Sequence, residues 1–315
     1  TEKKALIVAA GPSLDKNIEL IKHNQKNFFI IAVDTAYQVL LKNKIFSDVL
    51  VSIDCQYLSA KHVIDKMNPK TLIVADFTSN TSLIEKSIKN GNSICLFSNN
   101  NPICNYAKTF FNKKLNNEIF LTLDSTSGTV TNSAVDFALK AKFSHIFMVG
   151  ADFSYINGKA YARGTYLENI YYQHENKLNN AETSFDALMF RTELIKLDDK
   201  NNYTTETLSN YKNGLNSIIN KYPQIKFDKI ENFNNNINTS STIIIDKEKK
   251  YFFKYLLKDF LINIQENIKT NEENELVFPL YAYIKRIKPF IDKKNLIKTS
   301  NNLAKKIIAF YTKIL

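Results

Sequence analysis

Glycine is scarce in this chain, with seven residues in 315. Three of the seven sit in short motifs of one kind: Ala10-Gly11-Pro12-Ser13-Leu14, Thr126-Ser127-Gly128-Thr129 and Gly150-Ala151-Asp152-Phe153-Ser154. Such placement marks points where a backbone turns sharply or comes close to a ligand. Cysteine is nearly absent too. Cys55, Cys95 and Cys104 are odd in number and form no Cys-x-x-Cys pair, which argues against a disulfide framework and a zinc site and leaves them as packing residues. No apolar run approaches the length needed to cross a bilayer, and the amino terminus lacks the basic-then-apolar pattern of a secretory signal. A cytoplasmic location is the expectation. The chain begins at Thr1 rather than Met, which suggests a trimmed chain or a piece of a longer protein. It also lacks a Gly-x-x-x-x-Gly-Lys loop and a clean Gly-x-Gly-x-x-Gly fingerprint, which argues against a P-loop NTPase and an NAD enzyme.

What is present is globular. Hydrophobic residues make up 44% of the chain, ample for a core of ordinary size. The formal net charge of +11 comes from 42 basic against 31 acidic residues, nearly all of the basic ones Lys. They are scattered, and neither an Arg-rich stripe nor an aromatic RNA-binding motif accompanies them. Nucleic acid is therefore not expected as a partner, although a basic balance can steer smaller anions such as nucleotides.

Apolar strand candidates recur at Lys4 to Ala10, Phe28 to Val33, Val49 to Ile53, Thr71 to Ala75, Ser93 to Phe97 and His145 to Val149, with helical stretches between several of them. This alternation predicts an α/β chain with a mostly parallel sheet covered by helices on both faces. Ligands in such sheets bind beyond the carboxyl ends of the strands, at a switch in strand order. Gly11, Asp34, Asp54, Ser98 and Gly150 all follow their strands directly. The polar stretch Asn232 to Ser241 reads as a linker, and residues from about Lys247 look helical. The expected division is a nucleotide-binding domain over residues 1–232 and a C-terminal helical region over 245–315. Packing onto the first domain is the favoured reading of those helices; a dimer surface, a docking module for a protein acceptor, or a basic amphipathic membrane-surface helix are the others.

Each motif has a ligand reading and a plainer one. The Gly11-Pro12-Ser13 turn offers backbone N–H groups and a helix dipole to a phosphate, or is a strand-to-helix turn capped by Ser13 or Asp15. Asp34 and Asp54 accept from ribose hydroxyls, cap the next helix, or hold a metal. Asp152, between Gly150 and Phe153-Ser154-Tyr155, lies in a cluster too mixed in polarity for a simple core segment. Thr126, Ser127, Gly128 and Thr129 gather hydroxyls at a helix start, for anion recognition or as an N-cap. Arg163 is an anion ligand or a solvated loop arginine.

Taken in order, Gly-Pro-Ser-Leu, a strand ending in Asp, Ser-Ile-Asp, Thr-Ser-Gly-Thr and Val-Gly-Ala-Asp-Phe-Ser-Tyr resemble the bacterial motility-associated factor (Maf) family of flagellin glycosyltransferases. The same domain type includes the MptE-like 6-hydroxymethylpterin diphosphokinases. The layout is also similar to small bacterial sialyltransferases that use CMP-sialic acid. The resemblance covers about residues 3 to 230 and implies a Rossmann-like catalytic domain. It implies that Gly11, Pro12 and Ser13 approach the nucleotide phosphate or ribose, and that Asp34 and Asp54 line the pocket. Ser127 and Gly128 would meet the sugar carboxylate or phosphate, and Asp152, Phe153 and Tyr155 the nucleotide. Ala9 departs from the glycine that the sialyltransferases have there, and no equivalent of their catalytic histidine aligns. Transfer from a CMP-linked nonulosonic sugar passes through an oxocarbenium-like state and needs a base near the acceptor hydroxyl. His174 is the candidate, in a lid with Tyr161, Arg163, Tyr166, Tyr171 and Tyr172. Tyr155 and Tyr161 are candidate donors to the departing phosphate.

The leading expectation is transfer of a nucleotide-activated sugar to flagellin or another surface protein, with no cofactor or metal required, since the chain has no Asp-x-Asp triplet. The second is a diphosphokinase using ATP and magnesium, with Asp34, Asp54 and Asp152 as ligands. The third is a scaffold that binds a nucleotide without catalysis.

Overall fold

The computed structural model describes residues 4–56, 61, 63, 67–99, 101–116, 120–125, 127–178, 180–198, 201–233, 253–270 and 274–314. These group into two compact units, one formed by residues 1–99 and 121–243, the other by 100–120 and 244–315.

The first unit is built on a sheet whose strands are short apolar runs. In chain order they are β1 (Lys4–Val8), β2 (Phe29–Val33), β3 (Val49–Ser52), β4 (Leu72–Asp76), β5 (Ile94–Ser98), β6 (Leu121–Thr122), β7 (His145–Val149), the short pair β8 (Ile195–Lys196) and β9 (Tyr203–Thr204), and β10 (Lys226–Lys229). Eight of them form one sheet in the order β10-β7-β1-β2-β3-β4-β5-β6. Every pairing in it is parallel: Leu6 lies beside both Ile30 and Phe147, and Val51 beside Val74. Every residue of β1, β2, β3 and β4 is buried, which requires cover on both faces and explains why these strands show no polar alternation. The helices that supply it include α1 (Ser13–Asn24), α2 (Asp34–Lys42), α3 (Thr81–Asn90) and, after α4 (Pro102–Leu115), α5 (Val130–Lys140). Helix α5 packs across β1, β2 and β3. The chain runs outward from β1 through β2 to β6 and then returns to β7 on the other side of β1. The switch in strand order is therefore at the carboxyl ends of β1 and β7, where the first and third glycine motifs lie.

After β7 the chain forms α6 (Tyr166–Gln173), α7 (Ala181–Met189) and α8 (Glu206–Asn220) before β10 closes the sheet. The two-residue strands and edge strand β10 were not expected from the sequence, because they are too short or too charged to read as apolar runs.

The second unit contains α4 together with α9 (Phe253–Thr270), α10 (Phe278–Ile287) and α11 (Lys293–Ile314). Residues 100–120 thus group with the C-terminal helices rather than with the expected 1–232 domain. The reason is aromatic packing: Phe260 of α9 lies 5.1 Å from Phe111 and 5.4 Å from Phe110 of α4, ring centre to ring centre. The Tyr106 hydroxyl also donates to Asn263 Oδ1, and Lys114 pairs with Asp259 at 3.2 Å. The expected linker lies almost entirely outside the described residues. Cys104 is buried as a packing residue should be, but Cys55 is exposed.

Candidate functional site

The loops after β1 and β7 are stitched to each other. Ala9 N donates to Val149 O at 2.9 Å and Gly11 N to Gly150 O at 2.8 Å. Ser13 N donates to Asp152 Oδ2 at 2.8 Å, and Gly150 N donates to Ser13 Oγ at 3.0 Å. The glycines follow from this closeness. A Cβ on Gly11 would lie 2.5 Å from Gly150 O and also strike the Asp152 carboxylate; one on Gly150, whose φ is +71°, would strike the Ala9 carbonyl. Both glycines thus serve loop-to-loop contact.

This geometry corrects one part of the phosphate reading. Leu14 N donates to Gly11 O and Asp15 N to Pro12 O, so the donors of the turn at Gly11, Ser13, Leu14 and Asp15 are engaged within the protein. Neither Ser13 nor Asp15 caps α1; Pro12 holds the cap position, and Asp152 provides the carboxylate from another loop. An anion at this rim must be met by other groups.

Asp34 opens α2 and is 2% exposed. Its Oδ1 accepts from Thr35 N and Oγ1, and its Oδ2 accepts from Ser52 Oγ at 2.7 Å, which ties the end of β2 to the end of β3. Asp54 accepts from Gln56 N through Oδ1. A third acid, Asp76, was missed because β4 runs one residue past the predicted apolar run; it is buried and accepts from Thr78 N and Oγ1. Acidic side chains therefore follow three neighbouring strands.

Thr126 lies outside the described residues. Thr129 caps α5, its hydroxyl accepting from Thr131 N at 3.4 Å, and Gly128 has φ +78°. Ser127 Oγ accepts from Asn132 Nδ2 at 2.5 Å. Asn132 is fully buried, and its Oδ1 has no hydrogen-bond partner among the described residues. Helix α8 lies close over this corner: a Cβ on Gly214 would come within 2.6 Å of Ser127 Cβ, and the Tyr211 ring faces Gly128. Asn132 and Gly214 escaped the sequence reading; the sole usable signal was a glycine inside a helical pattern.

Phe153 holds φ +48°, and its carbonyl accepts from Thr204 Oγ1 at 2.9 Å. Tyr155 pairs with Tyr203 through two backbone hydrogen bonds, 2.7 and 3.1 Å long. The following strap is fastened to the first motif: Ala162 N donates to Ala10 O at 2.8 Å and Arg163 N to Asp15 Oδ1 at 2.8 Å. Tyr161 lies on this strap, next to Ala162. Burial raises its pKa, and the neighbouring Tyr155, Tyr171, Asp34 and Tyr211 raise it further. Those neighbours belong to the third motif, α6, the β2 end and the helix that faces Gly128. Burial also raises Tyr155, although Arg191 nearby opposes it. Both phenols stay protonated at neutral pH and can donate.

Arg163 is exposed and, with Lys16 and Lys159, edges a cavity of about 420 Å³ whose wall includes Pro12, Ser13 and Val39. His174 is exposed at the end of α6, where its backbone N–H donates to Ile170 O; it is not among the residues that line this cavity. Among the described residues no group of three or more His, Cys, Asp or Glu side chains could hold a metal ion. Asp34 already gives both carboxylate oxygens to Thr35 and Ser52, and Asp152 gives Oδ2 to Ser13, so two of the three acids expected to bind magnesium already hold hydrogen bonds within the protein. No helix among the described residues is long and apolar enough to cross a membrane.

Fold and site together define a Rossmann-like α/β domain whose loops converge on the switch point of a parallel sheet. The chain belongs to the MptE-like family, described as 6-hydroxymethylpterin diphosphokinase MptE-like, which matches residues 1–158. It is 37% identical over 131 residues to an uncharacterized protein of Treponema pallidum (strain Nichols), covering 41% of this chain and 44% of that protein. A further uncharacterized protein of that organism is 25% identical over 230 residues, covering 71% of this chain and 38% of the relative. The chain thus spans less than half the length of these curated relatives. Among solved structures, the Maf glycosyltransferase from Magnetospirillum magneticum AMB-1 shares the fold, with a TM-score of 0.53 at 18% identity over 74% of this chain and 35% of that one.

Proposed function

We propose that this chain carries the donor-binding core of a glycosyltransferase that moves a nucleotide-activated sugar, CMP-linked and of the nonulosonic class, to flagellin or another surface protein. The observation that carries the reading is the joining of the first and third glycine motifs at the switch point, where Ser13 N donates to Asp152 and the strap that bears Tyr161 is tied to Ala10 O through Ala162 N. The fold shared with a Maf glycosyltransferase supports it. In this reading the bond between the anomeric carbon and the CMP phosphate oxygen breaks, and the phosphate leaves with its negative charge. The protonated Tyr155 and Tyr161 donate to that charge, as buried donors do most effectively. The acceptor hydroxyl attacks the anomeric carbon and gives its proton to His174, whose exposed place at the end of α6 suits an acceptor arriving from solvent. Ser127 and Gly128, beside the start of α5, receive the sugar carboxylate.

The MptE-like family match favours a second reading, a pterin diphosphokinase using ATP and magnesium. Incubating the protein with a CMP-linked nonulosonic acid and an acceptor, and separately with ATP, magnesium and a hydroxymethylpterin, tests both. Release of CMP supports the first reading; release of AMP with a pterin diphosphate would replace it with the second.

A further inference from the structure

We propose that the turn between α10 and α11 docks on an anionic phospholipid surface. The apex of this turn is Phe290, whose side chain is 100% exposed, with Ile287 at 59% and Tyr283 at 55% close behind in sequence on α10. Folding gains nothing from leaving a phenyl ring and an isoleucine in water, and single exposed apolar residues are ordinary on protein surfaces. Here they are grouped, and the charge around them has one sign. Across residues 285–298 six cations, Lys285, Arg286, Lys288, Lys293, Lys294 and Lys298, face one acid, Asp292. That acid is occupied at the start of α11, its Oδ1 accepting from Asn295 N at 2.9 Å and its Oδ2 from Asn295 Nδ2 at 2.6 Å.

The turn is held in place rather than loose. Lys288 N donates to Ile284 O at 2.7 Å, Ile291 N to Lys288 O at 3.2 Å, and Leu296 N to Asp292 O at 2.9 Å. Pro289 fixes the backbone just before the apex. Buried Ile284 and Leu296 anchor the two sides of the turn in the core of the helical unit. Beside Phe290 opens a cavity of about 510 Å³ lined by Lys288, Pro289, Ile291, Asn295 and Thr299. One cation, an amide and a hydroxyl beside apolar walls match a phospholipid at its headgroup boundary, with phosphate on one side and acyl carbon on the other.

An exposed aromatic point with cations on its shoulders is the arrangement that enters the boundary between headgroups and acyl chains, while the lysines and arginine meet lipid phosphates. Residues 285–290 are all exposed. A continuous exposed run of apolar and cationic residues suits a soft surface that meets them together, rather than a groove that takes one helix face. The apolar contribution of one phenyl ring and one isoleucine is modest, so binding is peripheral and depends on charge.

The test is sedimentation of the whole chain with vesicles of phosphatidylcholine, with and without phosphatidylserine. The expected result is binding to the anionic vesicles alone, weakened as salt rises. Phe290→Ser should weaken it by about tenfold or more, and Lys288→Gln or Lys294→Gln by about fivefold each, whereas Lys22→Gln on α1 leaves it unchanged. These positions are exposed, so the variants fold, which circular dichroism checks. Absence of binding, equal binding to neutral vesicles, or binding indifferent to Phe290→Ser would overturn the proposal. So would a concentration-dependent dimer that Phe290→Ser abolishes, which would give the turn to a second copy of the chain.

Discussion

The Asp152 carboxylate closes the first turn of α1, accepting the Ser13 N–H at 2.8 Å across 139 residues of sequence, while the Ser13 hydroxyl receives the Gly150 N–H in return. A helix cap is thus supplied from a different loop, and the two motifs become one structural unit. Asp152→Ala should lower stability by about 1–2 kcal/mol, the usual loss for a helix N-cap acceptor. Asp152→Asn keeps an acceptor oxygen and should lose less. Chemical denaturation of the two variants checks the order.

Gly150 and Gly158 make a paired test of why glycine is present. Both have positive φ, but a Cβ on Gly158 meets nothing within 4 Å, whereas one on Gly150 runs into the Ala9 backbone. Gly158→Ala should cost about 1 kcal/mol from backbone conformation alone. Gly150→Ala should cost about 3 kcal/mol or more, because no flexible side chain is available to yield. Melting curves of the two variants separate the effects.

At the opposite end of the sheet, His145 Nε2 lies 2.9 Å from Asp228 Oδ2 and its ring stacks on Phe147. Burial lowers the His145 pKa below its ordinary 6.5, despite the opposing effect of the hydrogen bond that its ring N–H donates to Asp228. Over the window below 6.5 the unfolded chain therefore binds more protons than the folded one, so stability falls as pH falls. Asp228 is lowered from 3.8: burial alone would raise it, but its hydrogen bonds to His145 and Lys226 outweigh that. Its contribution is present above 3.8 and is lost on further acidification. The measurement is unfolding free energy between neutral pH and mild acid. His145→Gln should flatten the slope in the upper part of this range.

Tyr161→Phe removes one hydroxyl and keeps the ring. If the phenol donates to the departing phosphate, turnover should fall by about a hundredfold with little change in melting temperature. Unchanged turnover would remove Tyr161 from the chemistry. The same comparison for His174→Ala decides the base.

Much of the sheet was legible because parallel strands buried on both faces must be uninterrupted apolar runs; His145–Val149 falls where the residues place it. The rim was legible for a related reason, since polar residues directly after such runs must lie at the carboxyl edge. The use of those residues was not. Nothing in Gly11-Pro12-Ser13 says that its backbone donors are taken by Gly150 and Asp152, because that pairing depends on the strand order β7-β1, which local pattern does not encode. Helix α4 misled the domain division for the same reason: its position in sequence is that of a crossover helix, but its partners, Phe260 and Asn263, lie some 150 residues on. Gly214 was passed over because a glycine within a helix announces close packing without naming the partner, here Ser127.

In the proposed reading the rim of this sheet binds a nucleotide without a metal. Calorimetric titration with CMP, CTP, UDP and ATP, each with and without magnesium, tests it most directly. The account predicts CMP binding of equal strength in both conditions, weakened by Tyr161→Phe. Preference for ATP that requires magnesium, or no binding by any of the four, would contradict it.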